Sequence, residues 1–146
     1  MSRDLKTLYQ DIILQHDRAP FHYEKVNDAA IVISAYNPTC GDQFKLFLNI
    51  ENNIIQSAHF HGYGCAISKA STSILVKKMQ GLPVTEITLL IEAFLRIVSS
   101  EYHIQENNDA ELMAFAAARQ FPERLQCATL SWEALQQYLI DKQQEV

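Results

Sequence analysis

Of 146 residues, only four are glycine, four proline, three cysteine and one tryptophan. So little glycine excludes a collagen-like chain. A hydrophobic share of 48% against 20% charged residues excludes intrinsic disorder. Basic clusters are missing too, the longest being the pair Lys77-Lys78, and 12 Lys+Arg against 17 Asp+Glu leave a net charge of −5. Nucleic acid, which asks for a basic patch, is therefore not an expected partner. No apolar run approaches the roughly 20 residues that span a bilayer, so no membrane is expected. Residues 1–10 lack the apolar stretch of a signal peptide, and the expected location is the cytoplasm. Cys40, Cys65 and Cys127 cannot all pair within one chain. In a reducing compartment they read as ligands or nucleophiles rather than as disulfides. No repeat, low-complexity tract or linker divides the sequence, and its length suits one domain over residues 1–146.

Hydrophobic periodicity orders the chain. Residues 4–16 place Leu5, Leu8, Ile12 and Ile13 at helical spacing, and residues 18–28 read as a loop. Residues 30–36 are rich in Ile, Val and Tyr, which favours a strand, and Asn37 to Asp42 is dense in turn formers. Phe44, Leu46, Leu48 and Ile50 alternate with polar residues except at Phe47, and Asn52-Asn53 suits a tight turn. Residues 54–61 resume a strand with Ala58 and Phe60 on its core face. Three strands joined by short turns imply an antiparallel meander. Residues 66–80 turn helical and stop at Gly81, and Pro83 opens a helix with Ile87, Leu90, Ile91, Phe94 and Leu95 on one face. Residues 99–108 read as loop, 109–119 as helix, and a last helix starts near Pro122 and runs towards Lys142. The predicted class is α+β: an N-terminal helix, a three-stranded antiparallel sheet, then about four helices.

Three short segments carry the chemistry. In Cys40-Gly41-Asp42, a glycine able to bend the backbone separates a thiol from a carboxyl, both competent zinc ligands. A turn with a buried, inert cysteine explains the same residues. Gly62-Tyr63-Gly64-Cys65 lies at a strand-to-helix junction, where backbone N–H groups favour a thiolate. Ser68, Ser71, Thr72 and Ser73 follow, at a cost in helix propensity. They serve either a site or a tightly packed small-residue face. Cys127 belongs to the early turns of the last helix, on a face with Leu130, Ala134, Leu135 and Tyr138, and Arg124 precedes it by one turn. His59 and His61 share one strand face leading towards Cys65, as added ligands or, more simply, as cover for the sheet. His16, His22 and His103 show no partner pattern. Spacings of 25 and 62 residues between the cysteines match no zinc-finger pattern, so local sequence does not show whether the three converge.

Taken together, Asn37-Pro38-Thr39-Cys40-Gly41-Asp42, Gly62-Tyr63-Gly64-Cys65-Ala66-Ile67-Ser68 and Arg124-Leu125-Gln126-Cys127-Ala128-Thr129-Leu130-Ser131-Trp132 resemble the IscU/NifU-like family of iron–sulfur cluster assembly proteins. The resemblance extends to Leu8-Tyr9 and His16 and is nearest to the SufU type. IscU carries a histidine where this chain has Gln126, and its chaperone-recognition segment is replaced by Phe121-Pro122-Glu123-Arg124. The stretch between residue 98 and Cys127 is also longer, as in the SufU type. The resemblance implies a zinc ion held by Cys40, Asp42, Cys65 and Cys127, with Cys40 as the persulfide acceptor. It implies as partners a pyridoxal-phosphate cysteine desulfurase of the SufS type and downstream Suf cluster-assembly proteins. Three thiolates and a carboxylate around Zn²⁺ sum to −2, which would attract a cation such as Arg124 or Lys69.

Three functions fit these residues. The leading one is zinc-dependent sulfur transfer, a sulfurtransferase-type activity that accepts persulfide sulfur for iron–sulfur cluster biogenesis. The second is a scaffold on which an Fe–S cluster assembles on the same cysteines, since thiolates serve iron as readily as zinc. The third, from another class, is a structural zinc module that only mediates protein contacts.

Overall fold

The computed structural model describes residues 5–99 and 109–144. Its elements run α1 (Leu5–Arg18), β1 (Ile31–Asn37), β2 (Asp42–Glu51), β3 (Ile54–Tyr63), α2 (Ala66–Met79), α3 (Val84–Val98), α4 (Ala110–Ala114) and α5 (Leu125–Gln144). Two 3₁₀ segments, Phe115–Gln120 and Pro122–Arg124, join α4 to α5. The α+β order, the meander and the four helices after the sheet are as the sequence predicts. The predicted loop over residues 99–108 lies, beyond Ser99, outside the described residues, as does His103. Among the described residues no helix is long and apolar enough to cross a membrane.

Strand order is β1-β2-β3, antiparallel throughout, with one irregularity at Asn49/Ile50. Asn52 (φ 57°) and Asn53 (φ 62°) are both left-handed, the geometry a two-residue hairpin needs to match strand twist. Period-two alternation sends Phe44, Leu46, Leu48, Ala58 and Phe60 to one face, all fully buried under the helices. The opposite face carries Val32, Ser34 and Tyr36, which remain exposed.

The helical side is held by one aromatic anchor. Trp132 is fully buried, stacks on Phe94 with ring centroids 3.9 Å apart, and donates its indole N–H to Ser71 Oγ at 2.8 Å. This anchor corrects the predicted face of α5. Ala128, Ser131, Trp132, Leu135 and Leu139 are buried, whereas Leu130, Ala134 and Tyr138 are only half-buried. The largest side chain sets the rotation, and Cys127 stays buried beside that stripe. A second correction concerns residues 109–119, where the α-helix lasts five residues and then tightens to 3₁₀. The short side chains of Ala116, Ala117 and Ala118 bury this tighter coil against the core, and Arg119 Nε closes it by donating to the Ile97 carbonyl at 2.9 Å.

The Ser/Thr run of α2 is hydrogen-bonded to neighbouring elements. Thr72 meets Ser131 at 2.7 Å, Ser71 donates to the Ala128 carbonyl, and Ser73 Oγ accepts from the Phe21 N–H at 2.8 Å. These bonds tie α2 to α5 and to the segment that follows α1, and fix the helix that carries Cys65 at its start.

Candidate metal centre

The turn between β1 and β2 brings the first two donors to the end of the sheet. Asn37 Oδ1 accepts from the Thr39 N–H at 3.1 Å, and the Asn37 carbonyl accepts from the Gly41 N–H at 2.8 Å. Gly41 takes φ 73°, a left-handed value glycine adopts without strain. The tight turn leaves Cys40 exposed and directs Asp42, on the core-facing register of β2, fully into the interior.

Cys127 comes from α5. Its Sγ lies 3.5 Å from Cys40 Sγ, and the thiols of Cys40 and Cys127 and the Asp42 carboxyl lie within 4.8 Å of one another. The sequence separation of 87 residues between the two thiols is closed by the packing of α5 on β1. Cys65, the fourth predicted ligand, sits alongside in a different setting. It is the N-cap of α2, where its Sγ accepts from the Ser68 N–H at 3.4 Å and contacts Ser68 Oγ at 3.6 Å. Its backbone N–H donates to Asp42 Oδ1 at 2.9 Å.

That last bond leaves the other oxygen. Asp42 Oδ2 is buried and has no hydrogen-bond partner among the described residues. Native interiors rarely leave a carboxyl oxygen so, because the orphan forfeits its hydration with nothing in return. Zinc takes sulfur, nitrogen and carboxyl-oxygen donors in tetrahedral sites, and the residues present match that set. Gly64 belongs to the same cradle. A Cβ there would stand 2.6 Å from Asp42 Oδ1, 2.7 Å from Ser68 Oγ and 2.9 Å from the Phe44 ring, so only glycine lets the link from β3 to α2 pass the carboxyl this closely.

The electrostatics are those of acids crowded together. Burial, then the contact with Cys40 and the charge of Cys65, push the Cys127 thiol well above its ordinary range. Arg124 is exposed at the rim. Its hydrogen bond to Cys127, with the added pull of Cys65 and Cys40, holds the guanidinium protonated even more firmly than usual. Tyr9 on α1 is a participant to which the sequence assigned no role. It is buried, its hydroxyl has no partner among the described residues, and burial followed by the nearby Cys65 and Cys127 pushes its pKa up to about 12. No local pattern marks Tyr9, because it reaches the centre only through the packing of α1 on α2.

Two sequence expectations place residues elsewhere. Lys69 does not face the thiols: its Nζ lies 3.9 Å from Asp17 Oδ1 and 5.0 Å from the Tyr23 ring centroid. His59 pairs with Glu24 at 3.3 Å and stacks on His22, and His61 lies against Tyr23. Both histidines cover the sheet, the simpler of the two readings, and neither belongs to the donor group. His16, for which the sequence offered no partner, is buried between Ser73 Oγ (2.7 Å) and Glu111 Oε2 (2.6 Å). Ser73 is fully buried and receives the Phe21 N–H as well, so this Ser–His–Glu row is a structural tie rather than a nucleophilic triad.

Comparison with known proteins gives the chain its family. Over residues 8–141 the chain matches the family model described as the NifU-like N-terminal domain. It is 32% identical over 133 residues to the zinc-dependent sulfurtransferase SufU of Bacillus subtilis, covering 91% of this chain and 90% of that one. It is 30% identical over 134 residues to the iron–sulfur cluster assembly scaffold protein IscU of Thermotoga maritima, covering 92% and 94%. The fold also superposes on the N-terminal part of a nitrogen-fixing NifU-like protein from Brucella abortus, with a TM-score of 0.82 at 15% identity over 97% and 99% of the two chains. With the fold, the cysteine turns and these matches in agreement, the chain belongs to the NifU-like N-terminal domain family.

Proposed function

We propose that this protein accepts persulfide sulfur from a pyridoxal-phosphate cysteine desulfurase of the SufS type and passes it into iron–sulfur cluster assembly, with zinc held by Cys40, Asp42, Cys65 and Cys127. The observation that carries the reading is the buried Asp42 oxygen left without a partner beside the Cys40 and Cys127 thiols. Zinc bound there supplies a positive charge that keeps the thiols deprotonated without redox chemistry of its own. Asp42 fixes the α2 start through the Cys65 N–H, and Arg124 offsets negative charge at the rim. Cys40 is the acceptor because it alone of the three cysteines is exposed. In the transfer, the Cys40 thiolate attacks the terminal sulfur of the donor persulfide. A new S–S bond forms at Cys40, the donor's S–S bond breaks, and the donor cysteine leaves as thiolate. Sulfur changes hands with no net oxidation or reduction.

Metal analysis of protein purified without chelator is expected to give about one zinc per chain, as a four-ligand site requires. Mixed with desulfurase and cysteine, the protein should gain one sulfur at Cys40 by mass spectrometry of its peptides. Cys40→Ala should gain none, and full sulfur relay in that variant overturns the reading. The relation to IscU favours a second reading, a scaffold using the same cysteines. Anaerobic reconstitution giving a stable cluster that transfers to an apo-acceptor would select it.

A further inference from the structure

The face of the sheet turned away from the core has a composition that the fold does not require. In register from the site outward, its first row across the three strands is Tyr36, Gln43 and Tyr63, one step from the Asn37–Asp42 pair. The second is Ser34, Lys45 and His61, and the third is Val32, Phe47 and His59. Tyr36 is 59% exposed, Tyr63 65% and Val32 51%. The Tyr63 hydroxyl donates to Gln43 Oε1 at 2.9 Å, which holds the first row as a fixed aromatic ledge. Behind the ledge lies a shallow cleft of about 270 Å³ with Lys25, Lys45 and His61 on its walls. Glu24 is the acid at this border, and it faces His59.

Exposed tyrosines set beside exposed lysines, here without an ion-pair partner among the described residues, are an interface composition, since tyrosine offers rigid apolar area with a polar tip. The position decides what docks there. The ledge adjoins the turn carrying exposed Cys40 and runs into Gly64 and Cys65, so whatever approaches Cys40 from this side lies across it. The sign of the charge decides the chemistry. A chain of net −5 has gathered lysines on this face, and they fit carboxylates.

We propose that this open face is the docking surface for the sulfur donor, occupied by an acidic segment of that protein whose carboxylates meet Lys45 and Lys25 while its apolar side chains lie on Tyr36 and Tyr63. The proposal rests on the reading of the chain as a sulfur acceptor and adds to it the surface and charge of the encounter. Ion pairs at such a surface act mainly on encounter rate and are screened by salt.

The test uses the full chain loaded with zinc and a cysteine desulfurase, with affinity measured by titration calorimetry from low to high salt. The wild-type protein is expected to bind, more weakly as salt rises. Lys25→Glu combined with Lys45→Glu should weaken binding at low salt about tenfold or more and flatten the salt dependence, with zinc content at the wild-type level. Tyr36→Ala with Tyr63→Ala should weaken it at all salt concentrations. Leu89→Glu, an exposed position on α3, should change nothing. If the wild type binds and both double variants bind as well as it does, the docking proposal is overturned and the sulfur-acceptor reading stands. If the wild type shows no binding and gains no sulfur from the desulfurase, the sulfur-acceptor reading fails and the docking proposal with it. Loss of self-association as the sole effect of the variants would assign the face to a second copy of this chain and overturn the proposal equally.

Discussion

Two polar clusters share α2, one along its second half and one at its start, and they are built on opposite terms. In the first, His16 bridges Ser73 and Glu111, Lys77 and Lys78 reach Glu111 at 3.1 and 3.0 Å, and Lys78 also reaches Asp109 at 2.8 Å. Acids and bases alternate, and none of these side chains is left with a buried atom unpartnered. In the second, the thiols of Cys40 and Cys127 crowd a carboxyl with Cys65 alongside, and two oxygens, Asp42 Oδ2 and Tyr9 Oη, have no partner among the described residues. A network satisfied in every member stabilises the fold that contains it. A network deficient in positive charge has stability withheld until a cation arrives. The first network holds α1, α2 and α4 together, and the second gathers donor atoms of the kind that hold a metal ion.

The sharpest way to break the comparison is to neutralise one acid from each cluster. Asp42→Asn keeps an oxygen for the Cys65 N–H but removes the charge. Zinc content should fall from about one per chain to under about a tenth, since a tetrahedral site has lost a ligand. The melting temperature of the metal-free protein should not fall. Glu111→Gln should do the reverse. Metal content should hold, while the protein loses about 2 kcal/mol, because a partly buried carboxylate that joins a histidine and two lysines is replaced by a neutral amide. Denaturant titration reads that loss.

Acidity sharpens the contrast further. The His16 bond first, then Lys78 and Lys77, hold the Glu111 carboxyl well below its ordinary range, against the opposing effect of burial. A carboxyl whose folded pKa lies below its unfolded value binds fewer protons when folded. Its contribution is therefore complete above about pH 5 and is withdrawn as pH falls through the depressed folded value. Lys78 shifts upward, because its bonds to Asp109 and Glu111 outweigh the burial that opposes them. Stability measured from pH 6 downward should fall in the wild type and fall less steeply in Glu111→Gln. The smallest effect belongs to Tyr9→Phe. Removing an orphaned hydroxyl while keeping the ring against Phe115 and Phe121 should raise the stability of the metal-free protein by up to about 1 kcal/mol. A drop in its thermal midpoint would show that the hydroxyl already has a partner.

Which of these features the sequence revealed follows from how far apart their parts lie. Alternation along β2 and β3, the Asn52-Asn53 turn, the Gly81 stop and the Pro83 start are local, and each element forms where its pattern stands. The donor residues stand in three short segments, two at chain turns and one at the start of a helix, and the family resemblance rather than geometry joins them. Nothing along the chain indicates that Cys40 and Cys127, 87 positions apart, lie 3.5 Å from each other. The His16–Glu111 pair spans 95 positions and left no periodic trace. Helical spacing alone allows several faces of α5 to turn inward, and the single Trp132, stacked on Phe94, chooses among them. The break in the helix after Ala114 was hidden because alanine is the best helix former, yet here its smallness serves closeness of packing instead.

One consequence follows from the turn at Gly41, where even an added methyl group would meet nothing within 4 Å. Asp42 is anchored in a strand, while Cys65 and Cys127 are anchored in helices whose residues also build the interior. Cys40 stands on an exposed turn, so a change at this one thiol leaves the packed interior untouched, whereas a change at Asp42 or Cys127 alters residues that are themselves buried.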